Sequence, residues 1–191
     1  MDDDALYDPA FVRGLFNEMA RTYGAVNLVS SFGFAARWRT QCLARLPVRP
    51  GWAVVDLMTG MGELCPELAR RLGGAGTVRA VDLSPEMCRR ARRQARRWPG
   101  RVEVIEGDAL EADLPAGSAD AVVSSFGLKT FSDRQLGRLV DQVARLLKPG
   151  GWFSFVEVSV PPARWVRRPY MFYVKRVIPL IGRAFLGNPD N

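Results

Sequence analysis

The fold of this chain is decided by the stretch Val54-Val55-Asp56-Leu57-Met58-Thr59-Gly60-Met61-Gly62-Glu63. A short apolar run of this kind predicts a buried strand, and the two glycines predict a tight turn into a helix that begins near Glu63. Because glycine has no Cβ, the backbone of such a turn can approach a ligand closely, and the first N–H groups of the helix are free to bind it. The stretch therefore predicts a site for a nucleotide-type cofactor.

The residues around these glycines indicate which cofactor the turn holds. A dinucleotide site has a third glycine in the spacing G-x-G-x-x-G, and here that position is Cys65. Asp56 and Glu63 place carboxylates beside the turn, which would repel a pyrophosphate but attract an ammonium or sulfonium group. These features favour S-adenosylmethionine. Asp82 ends a second apolar run, where an acid can accept hydrogen bonds from both ribose hydroxyls; the alternatives are an ordinary turn and a helix cap at Asp82.

Three further segments predict strands. Residues 102–106 lead into Gly107-Asp108-Ala109, where the acid can accept a hydrogen bond from an adenine amino group, residues 121–125 enter a loop at Phe126, and residues 152–157 follow a helix that ends with Pro149. Strands alternating with helices predict parallel strands joined by helical crossovers, with ligands at the carboxyl ends of the strands. We therefore predict an α/β, Rossmann-like fold with a mostly parallel sheet of about five strands flanked by helices.

Together these motifs resemble the class I S-adenosylmethionine-dependent methyltransferases, over about residues 50 to 160. The resemblance rests on Asp56, Thr59, Gly60, Gly62 and Glu63, on Asp82, on Gly107-Asp108-Ala109, and on Leu147-Lys148-Pro149-Gly150-Gly151. Residues 15–33 with Trp38-Arg39, the loop 125–133 and residues 172–182 are similar, more narrowly, to the ubiquinone/menaquinone C-methyltransferases. The resemblance implies the class I fold with an N-terminal helical lid, methyltransferase activity and S-adenosylmethionine as the cofactor.

The resemblance also implies which residues form the site. Cofactor-binding residues would be Tyr23, Asp56, Thr59, Gly60, Gly62, Asp82, Leu83, Asp108, Ala109, Ser125 and Phe126. Candidate catalytic residues on the acceptor side are Tyr23, Lys129, Thr130 and Glu157, and Asn27 lies one helical turn after Tyr23 on the same face. The acceptor-side residues could instead be packing or capping residues. No metal is implied, because a sulfonium methyl is already activated.

Three residues, at two places in the chain, depart from the pattern of the C-methyltransferases. Gly24 stands where that family usually carries Asp, and Lys129-Thr130 stand where it usually carries Arg-Asn. Lysine offers a point charge where arginine offers a planar fork, so a ring hydroxyl would be bound differently. C-methylation of a quinol or phenol is the first interpretation. The alternatives are a small-molecule O-, N- or C-methyltransferase of specialised metabolism, and a cofactor-binding or assembly subunit without activity of its own.

The chain contains no histidine, so the usual base of neutral-pH catalysis is absent. A proton from the acceptor must go to water, Glu157 or Tyr23, or Lys129 must stabilise a phenolate. A hydroquinone or phenol suits these conditions, because its ring carbon becomes nucleophilic as its hydroxyl ionises. The expected partner is a lipophilic aromatic small molecule.

Length and composition predict one compact domain of 191 residues, 48% of them hydrophobic. We divide it into an N-terminal helical lid (1–46), a cofactor-binding core (47–160) and a basic aromatic helical segment (161–191). Cys42, Cys65 and Cys88 form no C-x-x-C pair, which predicts small buried residues in a reducing compartment rather than disulfides or a zinc site. No apolar run approaches the ~20 residues of a membrane span, so a cytoplasmic protein is expected.

The formal net charge of +7 comes largely from two clusters. Residues 89–97 predict a solvated helix face, and nucleic-acid binding is not expected because aromatic residues do not interleave with the arginines. The arginines of residues 164–176 lie among aromatic residues, which suits peripheral contact with an anionic membrane; the alternative is a lid over a hydrophobic pocket.

Nothing after residue 160 predicts another strand; residues 170–182 instead predict an amphipathic helix that runs into a turn containing a proline. The sheet would then end at its fifth strand, and an unpaired strand edge invites pairing with another chain. This predicts a homo-oligomer or a partner chain that covers the sheet edge; the alternative is that the chain is a fragment.

Overall fold

The computed structural model describes residues 7–20, 31, 33–178 and 180. Within them lie the α-helices α1 (Pro9–Met19), α2 (Phe34–Ala44), α3 (Cys65–Arg71), α4 (Pro85–Ala95), α5 (Asp133–Leu146) and α6 (Arg164–Phe172). The strands are β1 (Ala53–Leu57), β2 (Thr77–Asp82), β3 (Val102–Glu106), β4 (Ala119–Ser125) and β5 (Leu147–Val156). A 3₁₀ turn spans Leu128–Thr130, and a π-helical turn, Tyr173–Val177, follows α6.

The five strands form one sheet in the order β3-β2-β1-β4-β5, and every neighbouring pair is parallel. β1 pairs with β2 on one side and with β4 on the other, so the direction of winding reverses between β1 and β4. In open α/β sheets, ligands bind outside the carboxyl ends of the strands at such a reversal. The predicted α/β fold, with about five parallel strands flanked by helices, is confirmed.

The strand side chains alternate between two apolar layers. On β1, Val55 and Leu57 belong to one layer together with Leu139 of α5, whereas Val54 belongs to the other layer together with Leu68 of α3. Burial on both faces explains why the strands read as nearly continuous apolar runs. The two layers hold the carboxyl ends of β1 and β4 in fixed positions.

The helix after β1 begins two residues later than the sequence predicted. The helix was expected near Glu63, but α3 begins at Cys65. Gly62 N donates to Thr59 O at 3.1 Å, and Cys65 N donates to Gly62 O at 3.1 Å. Because these turn bonds use the first backbone donors, the helical hydrogen-bond ladder begins only after them.

The helix near the C-terminus begins earlier than the sequence indicated. The pattern predicted it from Tyr170, whereas α6 begins at Arg164 and continues through Pro169. Proline inside a helix removes one N–H donor and usually ends or bends the helix, but α6 already includes Pro169 before it reaches Tyr170. The predicted continuation beyond Leu180 lies outside the described residues.

Among the described strands, β5 lies at one edge of the sheet and β3 at the other. Trp152 and Phe153 on β5 are exposed. An exposed strand edge with apolar side chains favours pairing with another strand. Covering of this edge by a second copy or by a partner chain stays a prediction.

The three cysteines Cys42, Cys65 and Cys88 are buried and free, as predicted. Within the described parts of the chain, no helix is long and apolar enough to cross a membrane. A cytoplasmic location and the division at residues 46 and 160 stay predictions.

Candidate active site

A cavity opens at the carboxyl ends of β1, β2, β3 and β4, where the winding reverses. Its wall consists of Met58, Thr59 and Gly60 after β1, Asp82, Leu83 and Ser84 at the end of β2, Met87 in α4, Asp108 and Ala109 after β3, and Ser125, Phe126, Gly127, Thr130 and Phe131 at and after the end of β4. Val12, Arg13 and Phe16 from α1 and Arg39 from α2 complete the wall, with Glu63. Helices from the N-terminal segment therefore lie over the ends of the strands.

The structure brings most of the predicted site residues together. Those that line the cavity are Thr59, Gly60, Asp82, Leu83, Asp108, Ala109, Ser125, Phe126 and Thr130. Asp56, Gly62, Lys129 and Glu157 lie nearby but outside the residues that line it. Tyr23 and Asn27 lie outside the described residues, so their roles stay predictions.

Asp82 ties the glycine turn to the end of β2. Its Oδ2 accepts a hydrogen bond from Gly60 N at 2.7 Å, and its Oδ1 accepts one from Ser84 N at 2.9 Å. The alternative that Asp82 caps the next helix is wrong, because the Ser84 hydroxyl caps α4 by accepting from Met87 N at 3.2 Å. Each carboxylate oxygen can accept a second bond, so Asp82 keeps the capacity to bind ribose hydroxyls.

The two glycines of the turn have different surroundings. Gly60 has φ +61°, and a Cβ there would meet Glu63 Oε2 at 3.0 Å inside the cavity wall. Gly62 has φ +80°, and its Cβ would meet Ala91 of α4 and Cys65 Sγ at 3.4 Å. Gly60 thus lets a ligand in the cavity come close to the backbone. Gly62 was predicted to bind the cofactor, but its missing side chain instead lets α4 pack against the turn.

Asp56 lies buried beneath the turn. Its Oδ2 accepts a hydrogen bond from Thr59 Oγ1 at 2.5 Å, and its Oδ1 has no hydrogen-bond partner among the described residues. Burial, and secondarily the charges of Glu63 and Asp82, raise the pKa of Asp56 to about 7, although the Thr59 hydroxyl and Arg39 act in the opposite direction. An unpaired buried acceptor is costly, so a nearby cation or donor would be favoured here.

The pKa of Asp82 is raised for the same main reason as that of Asp56. Burial raises its pKa to about 6, and the charge of Glu63 adds to that effect, while the N–H groups of Ser84 and Gly60 oppose it. Three carboxylates therefore converge beside the turn, at Asp56, Glu63 and Asp82. Such an arrangement attracts a positively charged ligand.

Arg39 forms an ion pair with one of these acids, Glu63, and the residue-by-residue prediction of the site omitted it. Its Nη2 donates to Glu63 Oε1 at 3.1 Å, its Nε donates to Ser125 Oγ at 3.4 Å, and its guanidinium lies 5.2 Å from the centre of the Phe126 ring. Both partners of the ion pair are largely buried, at 15% and 20% side-chain exposure. The pair lies between the cavity and a second depression lined by Thr40 and Gln94.

Two strained residues meet at the reversal point. Met58 has φ +53° and Phe126 has φ +63°, conformations that non-glycine residues rarely adopt. Phe126 is held there because its N–H donates to Val156 O at 2.8 Å. The next residue, Gly127, has no side chain, and a Cβ there would lie only 2.6 Å from Met58 Cβ. Strain of this kind concentrates at functional sites.

Lys129 and Glu157 lie together, but beside the cavity rather than in its wall. Lys129 Nζ donates to Phe126 O at 2.7 Å and lies 3.5 Å from Glu157 Oε1. Glu157 also accepts hydrogen bonds from Lys129 N and from Val158 N. Thr130 lines the cavity, but its hydroxyl donates to Gly127 O at 2.7 Å and stabilises the 3₁₀ turn. These contacts hold the loop after β4 against the end of β5.

Polar contacts fix α1 over the ends of β2 and β3. Asn17 Oδ1 accepts a hydrogen bond from Ser84 Oγ at 2.6 Å, and Arg13 lies 3.3 Å from Glu106. Below the helix, Asp108 Oδ1 accepts from Leu110 N at 2.9 Å. The first helix therefore covers the side of the cavity where the acids of β2 and β3 lie, as a lid would.

Comparison with known proteins identifies the family. The ubiE/COQ5 methyltransferase family model matches residues 4–191. The chain belongs to this family. The demethylmenaquinone methyltransferase of Thermus thermophilus is 34% identical over 174 residues, 91% of this chain and 78% of the relative. The ubiquinone/menaquinone biosynthesis C-methyltransferase of Geobacter sulfurreducens is 32% identical over 176 residues, 91% of this chain and 68% of the relative.

The fold comparison agrees with the family. A SAM-dependent methyltransferase of Aquifex aeolicus superposes with a TM-score of 0.58 at 23% identity, covering 66% of each chain. The class I methyltransferase fold predicted from the sequence is confirmed. This member of the ubiE/COQ5 family is an S-adenosylmethionine-dependent methyltransferase, as the motifs predicted.

The described residues fit S-adenosylmethionine. The cavity wall carries the carboxylates of Glu63, Asp82 and Asp108, and the unpaired Oδ1 of Asp56 lies buried beneath the adjoining turn. This concentration of negative charge suits the positive charges of a sulfonium and an ammonium group. Because Gly60 has no side chain, a ligand can come close to the backbone of the turn and to the Glu63 carboxylate, which a Cβ at this position would meet. Arg39 offers a counter-charge for a ligand carboxylate. The sequence predicted the carboxylates beside the turn and the close approach at Gly60, but neither the unpaired Asp56 oxygen nor the role of Arg39.

The raised pKa values predict how cofactor binding depends on pH. As the pH falls through about 7 to 6, Asp56 and then Asp82 take up protons, whereas a cationic ligand favours their ionised forms. We therefore expect the affinity for S-adenosylmethionine to fall at least about tenfold from about pH 7.5 to 5.5. Calorimetric titration at both pH values measures it.

The neutral thioether 5′-methylthioadenosine is the matched control, because it lacks both positive charges and should show a smaller change. Equal pH dependence of the two ligands would contradict the assignment. The folding stability of the protein without ligand depends on pH in the opposite direction. The contribution of Asp56 and Asp82 to stability is present below about pH 4 and is lost as the pH rises through about 6 to 7.

Proposed function

We propose that this protein C-methylates a lipophilic aromatic acceptor, a quinol or phenol of the ubiquinone/menaquinone type. The observation that carries the proposal is the composition of the cavity wall, where Phe16, Met58, Phe126 and Phe131 lie beside the polar cofactor residues. Aromatic and thioether side chains suit a flat apolar ring, and the few polar groups fix its orientation. The relatives named as a demethylmenaquinone methyltransferase and as a ubiquinone/menaquinone biosynthesis C-methyltransferase support the same acceptor class.

The cofactor would be held by groups that line or surround the cavity. Asp82 would accept the ribose hydroxyls, and Asp108 would accept the adenine amino group. Glu63 would face the ammonium group, and the buried Asp56 would favour the positive charges of the cofactor from beneath the turn. Arg39 would pair with the carboxylate of the amino-acid moiety. When bound, S-adenosylmethionine supplies a methyl group that is already activated by its sulfonium centre.

The protein then has to orient the acceptor and exclude water. Phe126 is suited to orientation because two cations lie over its ring, Arg39 at 5.2 Å and Lys129 at 5.8 Å. Its strained backbone is fixed by the hydrogen bond to β5, so the ring occupies a defined place in the wall. α1 covers the opposite part of the cavity with Val12 and Phe16.

The acceptor proton has few destinations in a chain without histidine. Glu157 already accepts N–H groups from Lys129 and Val158, so it is better suited to holding the loop than to taking a proton. We propose that water takes the proton and that the ammonium of Lys129 stabilises the ring oxygen anion electrostatically. Thr130 would shape the cavity wall without binding the acceptor through its hydroxyl, because that hydroxyl donates to Gly127 O.

A second candidate is methylation of a small molecule of specialised metabolism. It is favoured by Lys129-Thr130, which stand where the C-methyltransferases usually carry Arg-Asn. Lysine cannot form the planar, bidentate contact that arginine offers, so the acceptor would be held differently. The acceptor distinguishes the two candidates, since the first requires methylation of a ring carbon of a prenylated quinol, whereas the second is O-, N- or C-methylation of a different small molecule.

The test uses S-adenosylmethionine with reduced 2-prenyl-1,4-naphthoquinone, which carries an open ring C–H. We expect one methyl group on that carbon, detected by mass spectrometry and by proton NMR of the product. The matched control already carries a methyl at this carbon and should gain none. Turnover of simple phenols or amines, with the naphthoquinol untouched, would contradict the proposal and support the second candidate.

A further inference from the structure

We propose that one face of α6 and the π-helical turn after it binds the surface of an anionic phospholipid membrane. This aromatic–basic face consists of Arg164, Trp165, Arg168, Phe172, Lys175 and Arg176. It is an interaction surface and goes beyond the proposed chemistry, which would operate without it.

Two large aromatic side chains project from this segment into solvent. Trp165 is 81% exposed and Phe172 is 65% exposed. They are seven residues apart, which places them two turns apart on the same side of the helix. None of the described side chains of α6 or of the π-helical turn is buried in the protein. Exposed aromatic residues on one side of a helix are typical of helices that lie in a membrane interface.

The charge around these aromatic residues has a single sign. Residues 158–178 contain Arg164, Arg167, Arg168, Lys175 and Arg176 and no acidic residue. None of these five cations forms an ion pair with a described residue. Near an anionic bilayer each such cation strengthens binding about fivefold. The partner must therefore be anionic, as well as able to accept apolar side chains.

A membrane satisfies both requirements better than a nucleic acid. Proteins that bind single strands stack bases on aromatic residues within a positively charged groove. Here Trp165 and Phe172 stand on the outer surface of a helix, a shape that suits insertion between lipid headgroups. The segment also follows β5, whose carboxyl end meets the cavity edge at the Lys129–Glu157 pair. A lipid-dissolved acceptor would approach from this edge.

The test is cosedimentation of the 191-residue chain with vesicles of phosphatidylcholine alone or with about a third of phosphatidylserine. No cofactor or acceptor is added, so the result is independent of the proposed reaction. We expect binding to the anionic vesicles only. Trp165→Ala should weaken it about tenfold, and the pair Arg168→Gln with Arg176→Gln about 25-fold. These side chains are exposed, so circular dichroism should show unchanged folding.

The matched control is Arg93→Gln with Arg97→Gln, which removes the same charge from exposed positions on and after α4. These changes should weaken vesicle binding much less than those at positions 168 and 176. An equal loss of vesicle binding in both variants would mean that net charge alone attracts the protein to the vesicles. That result would overturn the assignment of binding to the aromatic–basic face. No binding to anionic vesicles, equal binding to neutral ones, or tighter binding to a single-stranded oligonucleotide would also overturn it.

Discussion

Replacing Asp82 by alanine is expected to lower the affinity for S-adenosylmethionine about 100-fold, or about 3 kcal/mol. The carboxylate has two roles: it would accept the ribose hydroxyls, and it holds the glycine turn through Gly60 N at 2.7 Å and Ser84 N at 2.9 Å. Its removal takes away ligand bonds and also frees the turn that shapes the cavity. Calorimetric titration of the purified variant measures the loss.

The control for this prediction is Asp141→Ala on the exposed side of α5, which removes the same charge far from the cavity. It should bind the cofactor like the unmodified chain. The Asp82 variant should remain folded, because burial raises the pKa of this carboxyl and makes its ionised form costly. Binding within a few-fold of the unmodified chain would remove Asp82 from the site.

Replacing Gly127 by alanine is expected to lower the free energy of unfolding by about 2 to 3 kcal/mol. The new methyl group would lie 2.6 Å from Met58 Cβ and 2.9 Å from Met58 Cγ. Met58 cannot move aside easily, because its backbone is already strained at φ +53° and its side chain packs against the core. Urea denaturation followed by circular dichroism measures the change.

Two further variants make this prediction specific. Gly107→Ala adds the same methyl group at the end of β3, where nothing lies within 4 Å, and should change stability by less than about 0.5 kcal/mol. Met58→Gly removes the obstructing Cβ, so adding Gly127→Ala to the Met58→Gly protein should cost less than about 0.5 kcal/mol. Equal stability of the Gly127→Ala and Gly107→Ala proteins would show that the contact with Met58 is unimportant.

The cofactor side could be predicted from the sequence because its determinants are local. Gly60, Asp82 and Asp108 each lie at the end of a strand or within three residues of it, and parallel strands bring their carboxyl ends to one edge of the sheet. Once the strands are recognised, these residues must meet. Their convergence needs no knowledge of how the helices pack.

Arg39 was missed because its position depends on contacts far apart in the chain. α2 is placed by Cys42, whose carbonyl accepts from Ser154 Oγ at 2.8 Å on β5. Only that placement brings the guanidinium to Glu63 and Ser125. The available signal was the Trp38-Arg39 pair within the family-like N-terminal segment, which indicates importance without indicating a partner.

For Lys129 and Glu157 the sequence predicted the location in the fold but not the direction of the side chains. The sequence predicted both for the acceptor side, and they do lie together at the ends of β4 and β5. The ammonium of Lys129, however, donates to Phe126 O, so the pair lies beside the cavity wall rather than within it. Motif position predicts which strand end carries a residue, whereas the direction of its side chain follows from local hydrogen bonds.

The most direct test of the central claim is hydrogen–deuterium exchange of the chain with and without S-adenosylhomocysteine at saturation. Binding at the reversal between β1 and β4 predicts protection of residues 58–63, 82–88, 107–110 and 125–127, with little change on α5. Protection confined to another surface, or none in a folded sample at high ligand concentration, would contradict the cofactor site described for this chain.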